Sequence, residues 1–344
     1  MSFWNDTKVL VTGGASFIGS HLTERLVGLG AAVRVADDLS SGRLENLASV
    51  AGQIQCLEGD LRDRDFARRA VEGRQVVFHL AASHGGRGFI DTHPADCASN
   101  LALDTIVFGE ASRGKVERVC FASSACVYPL RHQTRPEPGQ DVFLKEEWAD
   151  PFREGCAAAD REYGWAKLMG EMTLKAYFVQ HGLKSAACRL FTAYGERENE
   201  THAVIALIAK AFVRMDPYEI WGDGQQDRNF TYVGDIVEGM IRAAERIEDA
   251  SPVNIGSPEH IRVLDVAKMI FEETGFSPRE IAFDTSRPVG VFSRAADLTR
   301  ARNILGWEPA TPFREGLKRT IAWYQSTHDP GTVASRLGVL LTER

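Results

Sequence analysis

The chain has 344 residues, of which 44% are apolar and 25% charged, with a formal net charge of −7. This composition is ordinary for a globular enzyme, and the length favours one large domain with a smaller second lobe. The negative charge argues against a general nucleic-acid-binding surface, and no leader-like or membrane-spanning stretch is visible in the sequence. We therefore expect a cytoplasmic protein without nucleic-acid or membrane partners. Six cysteines lack metal-site spacing, so no metal is expected.

The first third of the chain alternates β-branched runs with helical patterns. The runs predict strands over 8–12, 32–36, 53–57, 75–80 and 117–122, and a helical pattern covers 17–29. Alternating β and α units imply a parallel sheet covered on both faces and wound right-handedly. We therefore predict a Rossmann-type, doubly wound α/β fold, which binds ligands at the carboxyl ends of its strands.

A glycine-rich turn, Thr-Gly-Gly-Ala-Ser-Phe-Ile-Gly over 12–19, follows the first strand and opens a helix. Such a turn lets backbone approach a pyrophosphate, although Ser16 replaces the usual third glycine and an ordinary turn is the alternative. Asp37 and Asp38 end the second strand. A carboxylate there binds ribose hydroxyls and repels a 2′-phosphate, so NAD is favoured over NADP. Asp37 is the better ribose candidate, and Asp38 can cap the turn.

Two further polar features follow along the chain. Asp60, after the third strand, could face an adenine or N-cap the next helix. Tyr163 and Lys167 lie four residues apart in a predicted helix and so share a face. A lysine ammonium favours the phenolate form of tyrosine, which can take the proton of a hydroxyl. The spacing alone also occurs by chance in surface helices.

These motifs stand in the order seen in extended short-chain dehydrogenase/reductases that act on nucleotide sugars, which the chain resembles over nearly its whole length. The segments that carry the resemblance are 12–19, 59–61, 79–82, 123–129, 163–167, 189–195, 222–230 and 305–309. The resemblance implies bound NAD, a nucleotide-sugar substrate and a homodimer. It implies cofactor contacts from Gly13, Ser16, Phe17, Ile18, Gly19, Asp37, Asp60, Leu61, Ala81, Tyr163 and Lys167.

The segment after the fifth strand distinguishes reactions within this family. Dehydratases of the family usually carry an Asp-Glu pair there and decarboxylases a Glu, whereas this chain has Ala125 and Cys126. Neither reaction is therefore expected. A simple 4-epimerase needs only Ser124, Tyr163 and Lys167, so that interpretation stays open.

A closer resemblance is to GDP-mannose 3,5-epimerases, at 124–129 and in the glycine loop 85–90. His202 precedes an apolar run like that after the catalytic histidine of GDP-fucose synthases. Once C4 of a hexose is a ketone, the protons on C3 and C5 become acidic, and inversion needs a base on one face and an acid on the other. The thiol of Cys126 and the imidazole of His202 can exchange protons near neutral pH. The alternatives are a buried apolar cysteine and a helix-terminal histidine.

The combined hypothesis is an NAD-dependent epimerase that works through a transient 4-ketone, with C3/C5 inversion of a GDP-hexose favoured. Tyr163 is the expected base for the C4 hydroxyl, Lys167 lowers its pKa, and Ser124 hydrogen-bonds the C4 oxygen. The predicted substrate-binding residues are Gly86, Gly88, Ser124, Ala125, Thr192, Arg228 and Arg294. A simple 4-epimerase, an epimerase-reductase and a non-catalytic binding protein are the alternatives, and Asp37 argues against NADPH.

We expect a cofactor domain over 1–190, a mainly substrate-binding lobe over 191–330 and a tail of unassigned role over 331–344. Residues 131–160, with Pro136 and Pro138, have the composition of a loop insertion over the site.

Overall fold

A computed structural model describes residues 3–134, 137, 140–287 and 289–341. Its strands are β1 Lys8–Thr12, β2 Ala32–Asp37, β3 Gln55–Glu58, β4 Val76–His79, β5 Arg118–Ser124, β6 Phe143–Leu144, β7 Lys184–Leu190, β8 Ala193–Tyr194, β9 Tyr218–Trp221, β10 Asp227–Arg228, β11 Thr231–Tyr232, β12 Asp249–Ile255, β13 Ile261–Arg262, β14 Ile281–Asp284 and β15 Ala295–Ala296. Its α-helices are α1 Phe17–Gly28, α2 Arg64–Val71, α3 Arg87–Thr92, α4 Pro94–Ala98, α5 Asn100–Arg113, α6 Arg161–His181, α7 Ala203–Phe212, α8 Val233–Arg246, α9 Val263–Thr274, α10 Phe313–Thr327 and α11 Pro330–Leu340.

Seven strands form one parallel sheet in the order β3, β2, β1, β4, β5, β7, β12. Strand β4 is wholly buried and β1 nearly so, which fits their continuous apolar runs. The order reverses at β1, which pairs with β2 on one side and β4 on the other. The predicted Rossmann-type fold is confirmed, and this reversal is where such sheets bind their ligands.

The chain after residue 190 contributes to two different parts of the structure, a separate apolar core and the main sheet. Helices α7, α9 and α10 form a separate apolar core, onto which α11 packs through Val333. Helix α8 and strand β12 instead return to the main sheet, where Asn254 pairs in register with Arg189 of β7. Among the helices of the described chain, none combines the length and apolar character that a membrane crossing requires.

The prediction that 131–160 covers the site holds only for the last residue of that segment. Asp160 lines the main cleft, whereas none of the described residues from 131 to 159 does. Leu144 and Ala149 are instead buried in the core beneath the sheet, and the Glu146 carbonyl accepts a 2.7 Å hydrogen bond from Arg189. The segment is anchored because a buried guanidinium needs those carbonyl acceptors. Pro136 and Pro138 lie outside the described residues.

Candidate active site

One continuous cleft of about 1420 Å³ runs along the carboxyl ends of the strands, between the sheet and the second lobe. Every residue predicted to bind cofactor lines it, as do the five predicted catalytic residues Ser124, Cys126, Tyr163, Lys167 and His202. The predicted substrate residues Gly86, Gly88, Thr192, Arg228 and Arg294 line it too. Ala125 does not: it is 1% exposed and packs into the core, so its predicted contact with substrate is wrong.

The glycine-rich turn forms one end of the cleft and fits the diphosphate of NAD. A Cβ at Gly19 would lie 2.0 Å from the Gly13 carbonyl oxygen, so only glycine allows the first turn of α1 to approach β1 this closely. Ser16 is tolerated because its hydroxyl donates to the Gly13 carbonyl at 2.7 Å and so folds back onto the turn. Backbone N–H groups at the start of α1 thus face the cleft, where a helix N-terminus favours an anion.

Asp37 lies at the end of β2 and lines the same end of the cleft. Its two carboxylate oxygens accept hydrogen bonds from the backbone N–H groups of Ala15 and Leu39, each at 2.9 Å. Burial raises the pKa of Asp37, and the charge of neighbouring Asp38 adds to the rise. Each oxygen keeps a second lone pair, which is available to a ribose hydroxyl. Asp38 caps the turn through Ser40, as predicted.

Asp60 lines the cleft beside Leu61 and pairs with Arg62, whose guanidinium lies 2.9 Å from its carboxylate. It is not the N-cap of α2. Asp63 takes that role, accepting hydrogen bonds from the first turn of the helix. The capping alternative for Asp60 is therefore wrong.

A buried polar chain connects the cofactor turn to the centre of the site. The Thr12 hydroxyl lies 2.8 Å from His79 Nδ1, and His79 Nε2 lies 3.0 Å from the carboxylate of Asp104 on α5. Burial lowers the pKa of His79, although Asp104 opposes the shift, so the ring is neutral and donates from Nε2. The carboxylate of Asp104 also acts on Lys167, whose pKa burial lowers and Asp104 partly restores.

Tyr163 and Lys167 lie at the start of α6, and Ser124 ends β5. The Lys167 ammonium lies over ring faces, 5.8 Å from the centroid of Tyr163 and 4.6 Å from that of Phe121. Burial, and then the charge of Cys126, raise the pKa of Tyr163 well above its usual range, while a hydrogen bond with Ser124 opposes the rise. Burial outweighs any stabilisation of the phenolate, so Tyr163 rests as a phenol and must lose its proton before it can act as a base. The role expected of Lys167, lowering the pKa of Tyr163, stays a prediction.

Cys126 lies in a single 3-10 turn after β5, which brings it beside Tyr163. Its backbone N–H donates to the Ser124 hydroxyl at 3.1 Å, so the turn fixes both side chains together. The guanidinium Nη1 of Arg294 lies 3.8 Å from the Cys126 sulfur. The thiol is half-buried and borders the cleft, so it is not simply a core cysteine.

His202 is the residue before α7, but its side chain makes no capping hydrogen bond to that helix. Its Nδ1 instead lies 3.0 Å from the buried carboxylate of Glu198. Burial lowers the pKa of His202, but the charge and hydrogen bond of Glu198 outweigh it, and the net shift is upward. His202 therefore holds its proton to higher pH than an ordinary histidine.

Arg228 and Arg294 line the substrate half of the cleft. Arg228 donates to the backbone carbonyls of Asp227 at 2.6 Å and Val289 at 2.8 Å, and Arg294 donates to Gln133 at 2.5 Å. Within the described residues neither guanidinium forms an ion pair with a carboxylate. Burial, and then the nearby charge of Arg294, lower the pKa of Arg228 to about 9. Two guanidiniums lacking carboxylate partners favour binding of an anion here. Thr192 contributes its carbonyl to Thr231.

His84 is a site residue that sequence reasoning missed. It lies in the loop after β4, lines the cleft, and contacts the rings of both Tyr163 and His202. The available signal was its position: a titratable side chain in the loop that follows a buried parallel strand, at the edge where the other site residues converge.

Comparisons with known proteins agree with this geometry. Residues 9–256 match the model of the NAD dependent epimerase/dehydratase family. The GDP-mannose 3,5-epimerase 1 of Oryza sativa subsp. japonica is 32% identical over 329 residues, covering 93% of this chain and 83% of the rice protein.

Two solved structures show the same similarity in three dimensions. A UDP-glucose 4-epimerase of Thermotoga maritima with UDP-glucose superposes with a TM-score of 0.81 at 28% identity, over 93% of this chain and 99% of the other. MoeE5 in complex with UDP-glucuronic acid and NAD superposes with a TM-score of 0.78 at 30% identity. The superposition covers 93% of this chain and 100% of the MoeE5 chain. The prediction of NAD as cofactor is confirmed at the level of the family. The chain belongs to the NAD-dependent epimerase/dehydratase family of nucleotide-sugar enzymes.

Proposed function

We propose that this protein is a nucleotide-sugar epimerase that inverts C3, C5 or both of a GDP-hexose through a transient 4-ketone. The observation that carries the proposal is the placement of two acid/base groups, Cys126 and His202, in the cleft that holds Tyr163. They come from different elements, a turn after β5 and the segment before α7. A 4-epimerase would require neither group.

The first step occurs at C4. NAD, when bound, supplies reversible oxidation of the C4 carbinol, and the glycine turn, Asp37 and Lys167 would hold it. Tyr163, once deprotonated, takes the proton of the C4 hydroxyl through its hydrogen bond with Ser124, and it returns this proton when the hydroxyl is restored. While it carries that proton, the Tyr163 phenol donates a hydrogen bond to the ketone oxygen and stabilises the enolate that forms beside it.

The second step occurs at the carbon next to the ketone. One of Cys126 and His202 removes the carbon-bound proton, and the other supplies a proton from the opposite face. The raised pKa of His202 suits it to be the acid, and Cys126 is then the base. The guanidinium of Arg294 contacts the Cys126 sulfur at 3.8 Å and so holds the side chain at the edge of the cleft.

Arg228 and Arg294 would bind the diphosphate of the substrate, since forked guanidinium donors match its oxygens. GDP is proposed because the chain resembles GDP-mannose 3,5-epimerases and is 32% identical to the rice enzyme. UDP is the alternative, because UDP-glucose is bound in the Thermotoga maritima relative.

The test is solvent labelling. With GDP-mannose in deuterated water, we expect deuterium at C3 or C5 of the sugar, detected by nuclear magnetic resonance. Cys126→Ser should abolish the label, because a serine hydroxyl is far too weak a base at neutral pH. Cys56→Ser is the matched control, since Cys56 is exposed and does not line the cleft. Inversion of UDP-glucose at C4 without any label would refute the proposal in favour of a simple 4-epimerase.

A pH prediction follows from the Glu198–His202 pair. If the imidazolium of His202 is the acid, labelling activity is lost as pH rises through the raised pKa of His202. Glu198→Gln removes the charge that raises this pKa, so the alkaline limb of the pH profile should move to lower pH. The profile of kcat measures this shift. An unchanged alkaline limb in Glu198→Gln would show that His202 is not the acid.

The homodimer and the cytoplasmic location stay predictions. One feature supports the homodimer: Trp165 and Met169 lie one helical turn apart on α6 and are 43% and 38% exposed. Leu101 on the adjoining α5 is likewise 43% exposed. Helices with large exposed apolar side chains on one face commonly pair with a second copy.

A further inference from the structure

The loop after β4 carries a histidine that the mechanism above does not use. His84 is exposed to the cleft, and its ring centroid lies 5.2 Å from that of Tyr163 and 5.2 Å from that of His202. The two imidazoles stack with an interplanar angle of 24°. His84 is therefore in ring contact with both Tyr163 and His202.

The position of His84 is fixed by the residues around it. The backbone N–H of Ser83 donates to Asn100 at 2.7 Å, and the Asn100 amide donates back to the Ser83 carbonyl at 3.0 Å. On the other side, Gly86 donates to the Thr201 hydroxyl at 3.3 Å, and a Cβ at Gly86 would lie 1.9 Å from the Thr201 carbonyl oxygen. Only glycine at 86 lets the His84 loop pack this closely against the segment that carries His202.

The proposed chemistry creates a need for such a residue. Each inversion at carbon leaves the base protonated and the acid deprotonated, so the pair must be reset before the next inversion. His202 Nδ1 is bound to Glu198, which leaves Nε2 both to serve the substrate and to be reprotonated. The His202 side chain is only 21% exposed, whereas His84 is open to the cleft.

We propose that His84 is a proton-relay residue that returns a proton to His202 after each inversion at carbon, an inference that rests on the proposed epimerisation. The N–H bond of the His84 imidazolium breaks and an N–H bond forms on His202 Nε2, with a water carrying the proton between the stacked rings. The neutral His84 then takes a proton from water in the cleft, to which the Cys126 thiol has released the proton that it took from carbon. Two stacked imidazoles disfavour being charged at the same time, because like charges repel. Protonation of one ring therefore favours loss of the proton from the other.

The first test compares His84→Gln with the unchanged protein, using GDP-mannose in deuterated water. Glutamine keeps size and polarity but cannot carry a proton, so we expect steady-state kcat to fall about 100-fold. The first inversion, measured in a single turnover with enzyme in excess, should stay near its normal rate, and singly inverted product should accumulate. His181→Gln is the matched control, because His181 is an exposed histidine at the end of α6.

The second test uses His84→Ala with added imidazole, which should restore steady-state turnover. An equal slowing of the first inversion and of steady-state turnover, or no rescue by imidazole, would assign His84 a positioning role and overturn the relay. Normal turnover in His84→Gln would overturn it too. Failure of the proposed function gives a different result from failure of the relay. If the proposed function is wrong, the unchanged protein itself places no deuterium on carbon.

Discussion

Tyr163→Phe is expected to reduce turnover by about 10²–10⁴-fold, the usual contribution of a positioned acid/base group. The hydroxyl of Tyr163 is bonded to Ser124 in the cleft, beside the Cys126 thiol. Phenylalanine keeps the ring that packs against Cys126 but removes the oxygen atom that takes and returns the proton of the C4 hydroxyl. The fold should be preserved, because the ring and its packing are kept.

The measurement is kcat with GDP-mannose, accompanied by cofactor binding and a thermal unfolding curve. Tyr177→Phe is the matched control, because Tyr177 lies on the same helix and does not line the cleft. Turnover close to normal in Tyr163→Phe would mean that another group exchanges the C4 proton, and the role given to Tyr163 would be wrong.

Glu171→Leu is expected to lower the free energy of unfolding by about 3–5 kcal/mol, because it leaves a buried charge without its partner. Arg189 is 1% exposed, and both its Nε and Nη2 donate to the Glu171 carboxylate, at 3.0 and 2.8 Å. The same carboxylate accepts a 2.5 Å hydrogen bond from Ser123, next to the site residue Ser124. The variant therefore loosens the ends of β5 and β7 together.

Denaturant unfolding of the holoenzyme measures this effect. Glu162→Gln serves as control, because Glu162 is exposed on the same helix and its loss should change stability by less than about 0.5 kcal/mol. The double change Glu171→Leu with Arg189→Met should recover part of the loss, since it removes the unpaired charge. A double variant less stable than Glu171→Leu would contradict this explanation.

The sequence predicted what depends on local patterning. The sequence predicts both end residues of strand β1 and the first residue of helix α1 as the structure has them. These positions can be predicted because buried parallel strands and glycine-rich turns have strong local patterns. The convergence of Tyr163, Cys126 and His202 on one cleft followed from the family motifs. These predictions required no knowledge of how distant segments pack.

What the sequence could not predict depends on pairing between distant segments. The sequence predicts that 131–160 lies over the site, whereas the buried Arg189 holds Glu146 and Ala149 against the sheet, and Asp160 alone of the described part of the segment lines the cleft. Ala125 was expected to face substrate, but the 3-10 turn that exposes Cys126 directs its neighbour into the core. His84 escaped notice because its role depends on Tyr163 and His202, which are far from it along the chain.

The place of β12 has a consequence for how the protein can be made. Its partner β7 ends at Leu190, and residues 191–248 lie between the two strands. A fragment ending near residue 190 would therefore present β7 as an open edge, with unpaired N–H and C=O groups that invite aggregation. During synthesis the cofactor-binding sheet cannot be completed until Ile255 has left the ribosome, so α7 and β9 of the second lobe must emerge first. Helices α9, α10 and α11, which complete that lobe, emerge later. The two halves of the cleft are thus built as one folding unit, and neither can be exchanged as an independent module.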